Sequence, residues 1–189
     1  MSVTRYNGLA MALHWLIAAL ILTNIGLAWR FEDLHGLDKD ALVQWHKSIG
    51  ISVLLLSIVR LAWRVVRPPP RLPPDMGQGE QAIARLVHVA FYGVMIGMPL
   101  SGWALSSASP LIHIRPIVLF GVVPWPALGG LSHLPPGPMK AAHDAALGVH
   151  GLLAKLAYVL IVLHVGAALR HMVLLKDGVM GRMWPGPAR

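Results

Sequence analysis

Four histidines sit inside otherwise apolar stretches of this sequence: His14, His46, His150 and His164. An imidazole in an apolar span is costly unless it has a partner, so each is a candidate for function. His150 and His164 are fourteen residues apart. That is close to four helical turns, so they share one helix face and lie about 21 Å apart along the axis. In a chain that runs back and forth, His14 falls at the level of His164 and His46 at the level of His150. Each pair then brings together imidazoles from two different helices, one for each face of a haem iron, for which imidazole is a suitable ligand. Iron ligated on both faces has no open position, which favours electron transfer over oxygen binding or activation. Buried packing histidines are the bland alternative for any one of them, but four that pair by depth make it a poor account of the set. Zinc wants closely spaced ligands, usually four, and two pairs about 21 Å apart cannot form one such site.

Composition supports elements that could carry such residues through lipid. Of the 189 residues 56 % are hydrophobic and only 13 % charged, against about 25 % charged in a soluble domain. The net charge of +8 could suit nucleic acid. The basic residues flank apolar runs, however, which is membrane topology, and nucleic-acid binding is set aside. There is no cysteine, so disulfides, iron–sulfur clusters and thiolate-ligated haem are excluded.

Four runs are long enough to span, since a helix needs about 20 apolar residues to cross roughly 30 Å of hydrocarbon. The expected helices cover residues 9–29, 44–66, 82–106 and 145–174, with Asp144 as N-cap of the last. The expected fold is an all-α membrane protein, a four-helix transmembrane bundle forming one domain over residues 1–189. The first run has no small-residue cleavage site after it and reads as a retained helix. Between the runs lie a short acidic linker at 30–43 (Glu32, Asp33, Asp38, Asp40), a proline-rich linker at 67–81 (Pro68, Pro69, Pro70, Pro73, Pro74) and a long linker at 107–143. Prolines favour extended backbone in the second. They break up the third, which is expected to pack over helix ends rather than span.

Basic residues set the orientation. Arg60, Arg64, Arg67, Arg71 and Arg85 surround the proline linker, Arg5 precedes the first helix, and Arg170, Lys176, Arg182 and Arg189 lie near the C-terminus. Both termini are therefore expected in the cytoplasm, with the acidic and long linkers outside. Trp15 and Trp63 then fall near one interface, and Trp29, Trp45 and Trp103 near the other.

Several further residues bear on chemistry. Arg60 is fourteen residues past His46, on the same face at the inner depth, where its guanidinium could pair with a haem propionate. Arg64 continues the stripe, though a positive-inside flank explains it as well. Gly50 and Gly151 adjoin the ligand faces and could make room for a flat macrocycle, while Gly93 and Gly97 read as helix packing. His171, His88 and Arg85 lie at the inner surface and could meet a quinone headgroup, with ordinary interfacial residues as the alternative. His113, His133 and His143 join Arg115 and Lys140 in a weakly basic outer surface, and His35 reads as a plain loop residue.

Together these features resemble the bacterial cytochrome b561 family over nearly the whole chain. The resemblance rests on Leu13-His14-Trp15, His46 with Gly50, Arg60, and His88 with Tyr92 and Pro99. It continues through His150, His164, His171, Lys176-Asp177 and the closing Arg182-Met183-Trp184-Pro185. It implies a four-helix diheme b-type cytochrome of the bacterial inner membrane that exchanges electrons with the ubiquinone pool. Its axial ligands would be His14, His46, His150 and His164. Some members look like superoxide oxidases, passing an electron from superoxide outside to quinone at the other end. A basic funnel would steer that anion, but Arg115 and Lys140 are offset here by the acidic linker, so the donor is left open. Two other functions compete with a stand-alone oxidoreductase: a cytochrome b subunit relaying electrons for a larger dehydrogenase or hydrogenase, and a non-redox transporter. The few acids in the spans give a transporter little proton or cation chemistry.

Overall fold

The computed structural model describes residues 5–72 and 76–184. Pro73, Pro74, Pro185 and Arg189 lie outside the described residues, as does the side chain of Glu32. Four long helices run up and down: α1 (Gly8–Glu32), α2 (Gly36–Val66), α3 (Gln78–Ser107) and α5 (Pro136–Leu169). All four are long and apolar enough to cross a membrane. Between α3 and α5 come a small hairpin, β1 (Ile117–Leu119) and β2 (Val123–Trp125), and a single-turn helix α4 (Gly129–Ser132). Large apolar side chains such as Leu22, Val65, Val89, Leu152 and Val162 face outward along the helices, as lipid rather than water requires.

Two of the expected boundaries are wrong for one reason. The acidic linker of 30–43 is mostly helix, because α2 starts at Gly36 after a reversal in which that glycine takes φ +66°. Asp144 is no N-cap. α5 begins eight residues earlier, with Pro136 in its first turn behind the cap residue Pro135, and Asp144 instead pairs with Lys140 one turn before it. Hydropathy marks the segment solvated by hydrocarbon. A helix can run on into water once local pairs and its own backbone bonds support it, and α5 with its 34 residues extends about 51 Å at 1.5 Å per residue.

The long linker packs over one end of the bundle. In the three-residue hairpin loop, Val122 N–H donates to the Leu119 carbonyl at 3.0 Å and the turn so closed has Phe120 and Gly121 at φ 53° and 72°, positive values at both central positions. The Phe120 backbone N–H donates to Ser48 Oγ at 2.9 Å. Ile112, Ile117 and Leu119 bury against Ile51 of α2. At the opposite end the first and last described segments meet: Tyr6 N–H donates to the Arg182 carbonyl at 3.2 Å, and Trp15 Nε1 to that of Met183 at 2.8 Å. These are called the hairpin end and the terminal end below.

The helices do not pack all round. α1 lies along α2, α2 along α3, and α3 along α5, while α5 makes no extended contact with α1 or α2. The buried clusters follow the same division. Ile17, Ile49, Val53 and Met95 join α1, α2 and α3, whereas Val94, Ala157 and Leu160 join α3 to α5.

Candidate functional site

The four histidines face one another across the unpacked side. His14 of α1 and His164 of α5 have ring centroids 6.1 Å apart, and His46 of α2 and His150 of α5 have theirs 6.2 Å apart. A metal–imidazole bond of about 2 Å on each side, plus about 1.1 Å from each nitrogen to its ring centre, gives roughly 6 Å. Two imidazoles on opposite faces of one iron would be spaced in this way. Both pairs join α5 to helices with which it makes no extended contact, the Trp29 Nε1 bond to the Tyr158 hydroxyl being a local exception.

His88 complicates the terminal-end pair. Its ring centroid is 6.0 Å from that of His164, so spacing alone does not choose between His14 and His88 as partner. Packing does. His88 sits on α3, which lies directly along α5, and two helices in contact leave no slot for a macrocycle. Among the described residues no three histidines or carboxylates converge as a metal site.

The hairpin-end pair is oriented by hydrogen bonds. His46 Nδ1 donates to the Asn24 carbonyl at 3.2 Å, and His150 Nδ1 to the Met98 carbonyl at 3.1 Å. A carbonyl only accepts, so Nδ1 carries the proton in both rings and Nε2 is left with its lone pair for a metal. Ser101 Oγ lies 3.1 Å from His150 Nδ1 while donating to the Met98 carbonyl at 2.7 Å. Pro99 follows Met98, and its missing N–H takes the helical donor from the Met95 carbonyl one turn earlier. Gly102 completes the seat: a Cβ there would come within 3.1 Å of His150 Cε1. The expected cradle glycines behave differently. A Cβ on Gly151 would meet nothing within 4 Å, and one on Gly50 only Asn24 Nδ2 at 3.8 Å.

The terminal-end pair is set among aromatic and basic groups instead. Trp15 lies 5.3 Å from His14 and Phe91 5.3 Å from His164, ring to ring. Arg60 is within electrostatic reach of His14, His88 and His164 and of the Tyr92 hydroxyl. Arg64 stands over the Tyr92 ring at 5.8 Å.

The three other residues expected near a quinone divide into two groups. His88 and Arg85 line a concavity of about 580 Å³ with Tyr6, Arg64, Arg71 and Gln81. His171 stands apart, buried in a π-helical turn (Arg170–Leu175) that follows α5. Its Nδ1 donates to Asp177 Oδ2 at 2.6 Å, and its Nε2 lies 3.7 Å from Glu80 Oε1, which Arg170 holds at 2.5 Å. Burial acts to raise the Asp177 carboxyl, but hydrogen bonds from His171 and the Val179 backbone N–H outweigh it and draw the carboxyl below its ordinary value.

At the hairpin end, Arg115 is bonded to Asp40, and Lys140 to Asp144, so the basic surface expected there is largely neutralised. His113 and His133 are tied to the Ser132 and Gly129 carbonyls at 3.0 and 2.9 Å. Lys47, beside His46 and half-buried near Asp40, escaped the sequence reading. So did Lys155, exposed on α5 between the two histidine levels. The cost rule that singled out the histidines applies equally to a lysine in an apolar span. Lys155 lies about half a helical turn round from His164, on the lipid side, where its long stem can carry the ammonium toward the headgroups.

Over residues 5–186 the sequence matches the profile of prokaryotic cytochrome b561. The chain belongs to that family. It is similar to cytochrome b561 homolog 2 of Escherichia coli K12, with 31 % identity over 95 % of this chain and 90 % of the relative. It is also similar to a probable superoxide oxidase, CybB, of Yersinia pestis, with 28 % identity over 96 % of each chain. Cytochrome b561 homolog 1 of E. coli is 27 % identical over 96 % of this chain and 97 % of its own length. This cytochrome b561 is thus a multi-pass bacterial membrane protein that binds b-type haem and transfers electrons, and the transporter reading falls away.

Proposed function

We propose that this cytochrome b561 carries two b haems, one held by His46 and His150 and one by His14 and His164. Electrons would pass from a one-electron donor at the hairpin end to ubiquinone at the terminal end. The observation that carries this reading is the pair of facing imidazole couples at 6.1 and 6.2 Å, each spanning helices that do not pack together. When bound, such a haem supplies reversible one-electron transfer without an open iron position. The protein's part is to fix imidazole tautomers through Asn24 and Met98, to exclude water with apolar helices, and to place Arg60 where propionate charge would lie.

In this reading both termini are cytoplasmic and the hairpin faces the periplasm, as the arginines around the terminal end favour. Superoxide is the leading donor, supported by the full-length similarity to a probable superoxide oxidase. That similarity also favours a free-standing enzyme over a subunit of a larger dehydrogenase or hydrogenase. Two superoxide ions would each give one electron and leave as dioxygen. One ubiquinone would take both electrons and two protons to become the quinol. With Arg115 and Lys140 paired to acids, Lys47 beside His46 is a cation that would attract the anion.

The deciding measurement is a reduced-minus-oxidised spectrum with haem quantified per chain. Two low-spin b haems are expected, and His14→Ala and His46→Ala should each lose one. A protein without haem, or with one haem indifferent to both changes, overturns the reading. For quinone, His88→Leu and His171→Ala separate the two terminal-end groups: the true headgroup site slows quinone reduction while both haems stay bound. If neither change alters quinone kinetics, the site is not among these residues.

A further inference from the structure

A second concavity at the terminal end, of about 590 Å³, lies between the start of α1 and the end of α2. Arg5, Tyr6, Asn7 and Leu9 line one wall, and Trp63 and Arg67 the other. Its volume suits a small-molecule ligand. Trp63 fixes the seam through a hydrogen bond from Nε1 to Asn7 Oδ1 at 3.1 Å. Arg67 is exposed and makes no side-chain hydrogen bond or ion pair with any described residue. Arg5 gives a terminal nitrogen to the Trp184 carbonyl, but its Nε is buried without a partner. Among the described residues no acidic one lines the concavity. Two guanidiniums therefore line one opening, and that of Arg67 has no partner among the described residues. Beside them Leu9, 46 % exposed, continues onto the apolar outer faces of α1 and α2.

We propose that this concavity binds the phosphate headgroup of an anionic phospholipid, with the acyl chains lying along α1 and α2. The charge pattern favours lipid over a soluble anion. The two guanidiniums recognise the phosphate, the interfacial Trp63 and Tyr6 mark the headgroup level, and the apolar helix faces below the rim accept the chains. A soluble phosphate would use the first of these features and waste the other two. Basic pockets at the ends of transmembrane helices are suited to anionic headgroups. The site is separate from the His88 and Arg85 concavity, although both include Tyr6 and Pro70. It does not depend on the identity of the electron donor or acceptor.

The test uses the full-length protein, delipidated in detergent and then given phosphatidylglycerol or phosphatidylcholine of the same acyl length. Bound lipid is counted by native mass spectrometry. Phosphatidylglycerol should be retained at one per chain with a preference of about five- to thirtyfold, the range expected for one to two arginines at a headgroup. Arg67→Gln should remove most of that preference. Arg5→Gln should do the same, and Arg115→Gln at the opposite end should leave it intact. Unchanged helical content and Soret absorbance show that each variant is folded. Equal retention of the two lipids, or a preference that survives Arg67→Gln and Arg5→Gln in folded protein, overturns the proposal. Displacement of phosphatidylglycerol by millimolar inorganic phosphate would also overturn it, by making the site one for a soluble anion.

Discussion

The two histidine pairs have nearly the same spacing and quite different surroundings. At the hairpin end, His46 and His150 are hydrogen-bonded to backbone carbonyls, and Gly102 and Ser101 seat the His150 ring. At the terminal end His14 and His164 are packed among Trp15, Phe91 and a third histidine, with Arg60 close by. The first pair is fixed by directional bonds and the second by shape and charge. Imidazole basicity, nearby charge and burial all tune a haem's potential. In the proposed diheme reading, two cofactors of one chemical kind would thereby be set at different potentials.

The sharpest way to break this comparison is at the third histidine. His14→Ala should abolish the terminal-end haem, whereas His88→Leu should leave both haems bound, as counted by pyridine haemochrome. The reverse result would make His88 the ligand and would mean that α3 and α5 part to admit the macrocycle. A smaller effect is expected at the other pair. Gly102→Ala puts a methyl 3.1 Å from His150 Cε1, so the ring must shift by a few tenths of an ångström against its bond to Met98. One of the two potentials in a redox titration should move while haem content is kept, and the low-spin signal of that haem should broaden. If both potentials stay put, Gly102 does not seat the ligand. Smallest is the effect of charge. Arg60→Gln removes a cation that favours the reduced, less positive iron, so the terminal-end potential should fall by on the order of tens of millivolts. A rise, or a fall in the other haem, would place Arg60 elsewhere in the electrostatics.

The four spans, the candidate ligands and their pairing by depth were all legible in the sequence. Apolar length is set by bilayer thickness, and a fixed rise per residue turns spacing into depth. The same rules could not show where α2 and α5 begin, because a helix leaving the lipid loses its hydropathy signal but not its backbone bonds. Lys47 and Lys155 were readable in principle, as charges in or beside apolar runs. Gly102, Ser101 and the Met98 carbonyl were not, since their part depends on α3 lying directly along α5.

By itself, then, the sequence determined a membrane-spanning four-helix chain with histidines at two levels, because solvation by lipid and helical periodicity act locally along the chain. Only the tertiary structure decided which helices pack and which are held apart, that His171 is tied to Asp177 rather than grouped with His88, and that Arg115 and Lys140 are already paired. The helix packing and the Arg115–Asp40 pair depend on contacts between residues far apart in sequence, whose energies no single segment contains; the His171–Asp177 and Lys140–Asp144 bonds are local, and needed only the course of the backbone through those residues to be known.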